Sequence, residues 1–187
     1  EEKKALSDCI DSGWVVQGAR VAEFEAKFAE YVGGKYAVFV NSGTAALFLA
    51  IEALKELNYN PFKLVVPSLT FCATAEVVKH ARIPLEFGEV KDDLTLEKVS
   101  FDSLPVHLLG VKAEEGALIY DSAHRIEKDD VKDSHALWCY SFYATKNMTT
   151  VQGGMIVFNN ELFYEWLKKA RDHGLNMGTK ERYQGHY

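Results

Sequence analysis

Apolar residues recur at helical spacing in two blocks near the start of the chain, Ala5 to Ile10 and Val21 to Val32. Between them Ser12-Gly13-Trp14-Val15-Val16-Gln17-Gly18 breaks the period, so the pattern predicts helix, irregular segment, helix. A different texture follows. Tyr36-Ala37-Val38-Phe39-Val40 is short, apolar and rich in β-formers, then meets Asn41-Ser42-Gly43-Thr44 and gives way to strong helix formers from Ala45 to Leu57. The same sequence of strand, turn and helix repeats with Lys63-Leu64-Val65-Val66, Pro67-Ser68-Leu69-Thr70 and Phe71 to Lys79, before a further strand at Pro84-Leu85-Glu86-Phe87. More short strands are predicted at Ser103 to Leu108, Ala117 to Tyr120, Ala136 to Phe142 and Gly154 to Phe158, and a closing amphipathic helix at Glu161 to His173. Alternating strands and helices predict an α/β fold with a mostly parallel sheet. The polar stretch from Lys91 to Ser103 is the expected surface excursion, and no internal repeat or low-complexity run interrupts the pattern.

Composition narrows the function classes. The 187 residues carry 21 Lys+Arg against 27 Asp+Glu, a net charge of -6, with 48% hydrophobic and 26% charged residues. These values suit one globular domain and exclude disordered, collagen-like and coiled-coil chains. The acidic balance offers no basic run for phosphate neutralisation, so no nucleic-acid polymer is expected as partner. Cys9, Cys72 and Cys139 are widely spaced and odd in number, which suggests neither a disulfide framework nor a zinc or other metal site and fits a reducing cytoplasm. No run reaches the roughly 20 apolar residues that span a bilayer, and Glu1-Glu2-Lys3-Lys4 does not begin a signal peptide, so no membrane partner is expected. The first residue is not Met and Tyr183-Gln184-Gly185-His186-Tyr187 carries no terminating signal, so the chain reads as a piece of something longer.

In open α/β sheets ligands bind beyond the carboxyl ends of the strands, and three such ends are chemically loaded. Ser42, Gly43 and Thr44 follow the first strand; they can cap a helix or cradle a phosphate on its first N–H groups. Asp121 ends another strand with His124 three residues on, either a helix cap with a surface histidine or an acid with an imidazole beside it. Lys146 leaves an apolar strand through the hydroxyl-rich loop Tyr143-Ala144-Thr145-Lys146-Asn147, where a lysine is either solvated or reactive. No G-x-G-x-x-G follows a strand, which argues against a dinucleotide-binding module.

Six ordered blocks carry a resemblance that no single one would. Ser12-Gly13-Trp14 with Gln17-Gly18, Asn41-Ser42-Gly43-Thr44-Ala45-Ala46-Leu47, Pro67-Ser68-Leu69-Thr70-Phe71, Pro105-Val106-His107-Leu108, Asp121-Ser122-Ala123-His124 and Ser141-Phe142-Tyr143-Ala144-Thr145-Lys146-Asn147 together resemble the pyridoxal-phosphate-dependent sugar aminotransferases of the DegT/StrS type. The resemblance implies the three-layer α/β/α large domain of fold-type-I enzymes across residues 1–187, with N-terminal helices in 1–33, sheet and helices in 34–187, and no C-terminal small domain in these residues.

The resemblance also implies pyridoxal 5'-phosphate as cofactor, with Lys146 as the Schiff-base lysine and proton shuttle and Asp121 as partner of the pyridine nitrogen. By the same carry-over Ser42, Gly43, Thr44 and Ser141 hold the phosphate, Phe71 stacks on the ring, Ala123 allows close approach on its other face, and His124, where the family often has Gln, donates to the phenolic oxygen. It implies glutamate as amino donor, a keto sugar on a nucleotide as acceptor, and a homodimer with the active site at the interface. The alternative is a half-enzyme that keeps the fold and turns nothing over. Departures from the family pattern are Val151-Gln152-Gly153-Gly154 in place of Gly-Glu-Gly-Gly, Ser122 in place of Ala, and a short Phe87 to Asp121 stretch in which a helix is expected to be trimmed or missing.

Overall fold

The structure is a computed structural model that describes residues 1–59, 61 and 63–174. The final thirteen positions of the one-domain reading, 175–187, including the Tyr183–Tyr187 run, lie outside the described residues.

Two helices open the chain, α1 (Glu2–Asp11) and α2 (Ala19–Val32), and β1 (Tyr36–Val40) leads into α3 (Gly43–Glu56). β2 (Leu64–Pro67), α4 (Cys72–His80) and β3 (Leu85–Gly88) follow, then β4 (Ile119–Asp121), β5 (Leu137–Ser141), β6 (Gly154–Phe158) and α5 (Glu161–Arg171). The predicted elements are present within a few residues, with one correction. Ser103 to Leu108 is not a strand: it makes isolated parallel bridges, Val65 with Ser103 and Val106 with Asp121. Pro105 has no N–H to donate, so no continuous ladder can form there.

That segment nonetheless joins two sheets. One has the order β1-β6-β5-β4 and the other pairs β2 with β3. Leu104 donates its N–H to Val65 O at 2.9 Å, while Asp121 donates to Pro105 O at 3.0 Å on the other side. β6 runs antiparallel to both neighbours, and β4 with β5 and β2 with β3 are parallel, so among the described residues β6 is the one reversed strand. Between β3 and β4 the described residues form turns, isolated bridges and a single 3-10 turn at Leu108–Gly110, with no α-helix among them. The Lys91–Ser103 excursion is not wholly solvated, because Leu96 turns back into the core at 1% exposure.

Alternation along the strands fills two cores. Val38, Ile119, Leu137, Cys139 and Ile156 face α3, α4 and α5, whereas Ala37, Tyr120, Trp138, Tyr140 and Val157 face α2. α3 presents Ala46, Ala50 and Ala53 beside Leu47, Ile51 and Leu54; the small residues let it lie close to the sheet. Each fully buried Leu or Ile there contributes about 1.5–3 kcal/mol. By contrast α1 buries none of its residues, and Leu6 and Ile10 stay exposed.

The outer edge of β1 is closed by charge. Glu25 from α2 accepts the Phe39 N–H at 2.7 Å, Arg171 from α5 donates to Phe39 O at 3.1 Å, and the two side chains pair with each other. An edge strand's free hydrogen-bonding groups are thus taken by side chains.

His107, from the fourth of the sequence blocks, is a core residue. It is fully buried, stacks on Tyr120 at 5.3 Å and packs on Trp138 at 4.8 Å, and its Nδ1 accepts the Ala113 N–H at 2.9 Å. Burial pushes its pKa down to about 3 from 6.5, so the unfolded chain binds the proton more tightly than the folded one. Stability should therefore rise with pH between about 3 and 6.5 through this group. In His107→Gln, whose amide oxygen can still accept from Ala113, urea unfolding across that range should show a flatter pH dependence than the parent chain; an identical slope would refute the assignment.

Candidate active site

β1, β2, β4 and β5 point the same way, so Val40, Pro67, Asp121 and Ser141 end at one edge of the sheet. Reversed β6 begins at that edge, where Gly154 registers with both Val40 and Ser141. Each site residue picked out in the sequence lies at or just beyond these ends.

The first group surrounds the start of α3. Ser42 caps the helix, its hydroxyl accepting the Ala45 N–H at 3.0 Å. Gly43 and Thr44 are the first helical residues, whose N–H groups no preceding turn can satisfy. Two glycines let this terminus pack against the sheet end. A Cβ on Gly43 would lie 2.8 Å from Ser141 Cβ, and one on Gly154 would lie 2.2 Å from Ser42 O. The result brings Ser42, Gly43 and Ser141 together around amides aligned with the positive end of a helix dipole.

The second group surrounds Asp121, which is 5% exposed. Its Oδ1 accepts the Ala123 N–H at 3.0 Å and its Oδ2 accepts the Thr74 hydroxyl at 2.8 Å. Burial pushes its pKa up; the Ala123 amide, the Thr74 hydroxyl and the charges of Lys146 and His124 pull it back. Lys146, half-buried, is shifted the opposite way: loss of water lowers its pKa and the Asp121 charge raises it. His124 is lowered by burial and then by Lys146, against the pull of Asp121. The three groups thus feel one another across a single site. His124 Nδ1 accepts the Leu109 N–H at 3.3 Å, which leaves the neutral ring's proton on Nε2. Phe71 stands at the N-cap of α4 with 70% of its surface exposed, one turn before Thr74, and Thr44 is also exposed.

An N–H-lined helix start, a buried acid and a partly desolvated amine at one sheet edge can hold an anion, a protonated ring nitrogen and a carbonyl carbon respectively. The sequence profile of the DegT/DnrJ/EryC1/StrS aminotransferase family matches residues 1–100 and 105–187. The chain belongs to this family. It is 31% identical to the spore coat polysaccharide biosynthesis protein SpsC of Bacillus subtilis (strain 168), an alignment covering 98% of this chain and 53% of that protein. Among solved structures it is similar to S. venezuelae DesV in complex with a ketimine intermediate, at 27% identity and a TM-score of 0.81, over 95% of this chain and 54% of that one. It is also similar to Helicobacter pylori PseC, an aminotransferase involved in the biosynthesis of pseudoaminic acid, at 26% identity and a TM-score of 0.83, over 96% and 55%. The chain therefore spans about half the length of the relatives it matches, and the fold is that of the large domain of fold-type-I aminotransferases.

Against the family pattern, Val151 is the departure with a local cost. It adopts φ 69°, a left-handed conformation unfavourable for a β-branched residue, where family members commonly have Gly. Neighbouring threonines hold it there: Val151 donates its N–H to Thr149 Oγ1 at 2.9 Å, and Thr149 donates to Phe142 O at 3.0 Å. Ser122 is fully buried, with a hydroxyl that finds no partner among the described residues.

Sequence reasoning missed Thr74 and Gly154 as parts of the site. Thr74 lies inside a predicted helix, where a threonine reads as ordinary; its spacing of one turn from Phe71 was the available signal. In the sequence Gly154 reads as a strand start, and only the neighbouring Gly153 hints at a close approach.

Two outcomes follow from this geometry. Gly154→Ala forces a methyl onto the Ser42 carbonyl and should cost about 1–3 kcal/mol in denaturant unfolding; a cost near zero would mean that the α3 terminus does not sit there. In the cofactor-free chain, the raised pKa of Asp121 means that the folded state binds the proton more tightly, so stability falls as pH rises above the ordinary value of 3.8. Asp121→Asn should remove that decline and be more stable than the parent at neutral pH by thermal melting. A variant that melts lower there would contradict the buried charge.

Proposed function

We propose that this chain is the cofactor-binding part of a pyridoxal-phosphate-dependent aminotransferase acting on a keto sugar carried on a nucleotide, with glutamate as amino donor. The observation that carries the reading is the meeting of buried Asp121, partly desolvated Lys146 and the α3 N-terminus at one edge of the sheet. The names of SpsC and PseC, which refer to polysaccharide and pseudoaminic acid biosynthesis, support the sugar class.

The donor set fits pyridoxal phosphate. Gly43 and Thr44 amides with the hydroxyls of Thr44 and Ser141 would take the phosphate, Ser42 holding the helix start in shape. Asp121 would take the protonated ring nitrogen, which supplies the countercharge that its burial lacks. Phe71, exposed beside that site, would cover one ring face, and small Ala123 would admit the other. His124 would donate from Nε2 to the ring oxygen, the tautomer being set by Leu109. When bound, the cofactor supplies an electron sink for a carbanion next to the substrate nitrogen. Lys146 would bind the cofactor's aldehyde carbon and, once released, move a proton at the substrate carbon; the lowering of its pKa by burial favours the neutral amine that both tasks need.

We read residues 1–187 as one cofactor-binding domain, with the helices of 1–33 ahead of the sheet. Two copies are proposed to pair, and the uncovered face of α1 with Leu6 and Ile10 supports an interface there. A reducing cytoplasm suits three free cysteines. Among the described residues no helix is long and apolar enough to cross a membrane, and no cluster of His, Cys, Asp or Glu could hold a metal ion.

Incubation with pyridoxal phosphate, borohydride reduction and peptide mass spectrometry test the reading. Label should appear at Lys146, and Lys146→Ala should lose it by about a hundredfold or more, as expected when a covalent nucleophile is deleted. Equal labelling of that variant would overturn the assignment.

A further inference from the structure

The acid at the end of β4 is tied to a different layer of the fold. Thr74, in the first turn of α4, is fully buried and lies 47 residues from Asp121 in sequence, yet its hydroxyl donates to Asp121 Oδ2 at 2.8 Å. Behind it, Thr70 Oγ1 stands 3.0 Å from Thr74 Oγ1. A hydroxyl has one proton to give, and ionised Asp121 takes that of Thr74. Thr70 must then donate to Thr74, so the chain of hydrogen bonds runs from Thr70 through Thr74 to the carboxylate. The other oxygen, Oδ1, is held by the Ala123 N–H, so each carboxylate oxygen accepts one protein hydrogen bond.

We propose that Thr74 is a positioning residue for Asp121, its hydroxyl fixing the carboxylate's orientation and favouring the ionised form that a ring nitrogen requires. This rests on the cofactor reading above and adds to it a role for the first turn of α4. The energetic argument is differential. A hydrogen bond to a charged acceptor is roughly twice as strong as one to a neutral acceptor, so the Thr74 donor stabilises the ion more than the acid. Burial acts the other way, and Thr74 stands among the few groups that offset it. The charges of Lys146 and His124 also act on Asp121, and Cys139 is its registered neighbour on β5, with a thiol whose pKa burial holds well above the usual range. None of these three fixes a carboxylate oxygen in place by a hydrogen bond of its own among the described residues. The same turn of α4 begins at Phe71, so a single rigid element would set both the aromatic cover and the acid's partner.

The test uses the full chain with Thr74→Val, which keeps the shape and removes the hydroxyl, and Thr74→Ser, which keeps the hydroxyl. A carbon-13 NMR titration of the aspartate carboxyls without cofactor reads the coupling directly. Pyridoxal phosphate affinity and the pH dependence of the bound cofactor's visible absorbance read its consequence. Thr74→Val should move the Asp121 midpoint up and weaken cofactor binding by about tenfold or more, and Thr74→Ser should restore both to within about threefold. Should Thr74→Val fail to fold, Thr70→Val removes only the second donor and should shift both readouts the same way by a smaller factor. The inference is overturned by a Thr74→Val chain with the parent's midpoint and affinity, by a Thr74→Ser chain as impaired as the valine variant, or by an inert Thr70→Val where that is the variant studied. Failure of the parent chain to take up cofactor at all would defeat the functional reading and this role with it, whereas normal uptake with an unmoved Asp121 midpoint would defeat the coupling alone.

Discussion

Asp121 sits at the end of β4 with almost no access to water, so its charge has to be answered by protein dipoles and nearby cations. Several features of the edge follow from that demand. The turn after β4 aims the Ala123 amide back at one oxygen, and α4 starts where Thr74 can reach the other. Lys146 and His124 lie within electrostatic range, each displaced toward its neutral form by the same exclusion of water. Burial thus pushes the acid and the amine toward their neutral forms, a tension that a cationic ring beside the acid would relieve.

The reversal of β6 is what brings the phosphate-type cradle beside this acid. Had β6 run parallel, its carboxyl end would have met the edge and Gly154 would lie at the far side of the sheet. As built, a strand start without a side chain admits the Ser42 peptide, and α3 can lower its first amides toward Ser141. Small residues on the buried face of α3 make the same approach possible along its length. Helix, strand reversal and glycine spacing therefore act as one device for aiming backbone N–H groups.

Much of this was legible in the sequence because punctuation and period agree. Short β-rich runs ending in Asn41-Ser42-Gly43-Thr44, in Asp121 and in Ser141 marked the strand ends, and the loaded positions after them are where the side chains cluster. Ser103 to Leu108 misled because its apolar content reads as a strand, while Pro105 breaks the ladder that would make it one. Thr74 was hidden because its value lies in a partner 47 residues away, a distance that local pattern cannot express. The tautomer of His124 depends on the amide of Leu109, a residue held at a positive φ of 52° that no leucine advertises. α1 was predicted from its periodicity, yet the surface it covers cannot be inferred from amphipathicity alone.

Lys146 rides on a loop whose two ends, Ser141 and Gly154, are registered against each other. Within that loop Lys146 donates its N–H to Tyr143 O at 2.9 Å and Thr150 donates to Phe142 O at 3.1 Å. A lysine on an open crossover would sweep a large volume, and its encounter with an electrophile in the site would be diluted accordingly. Pinned between neighbouring antiparallel strands, the backbone of Lys146 is held in place, so its side chain reaches out from a fixed point and samples a smaller volume than it would on an open crossover.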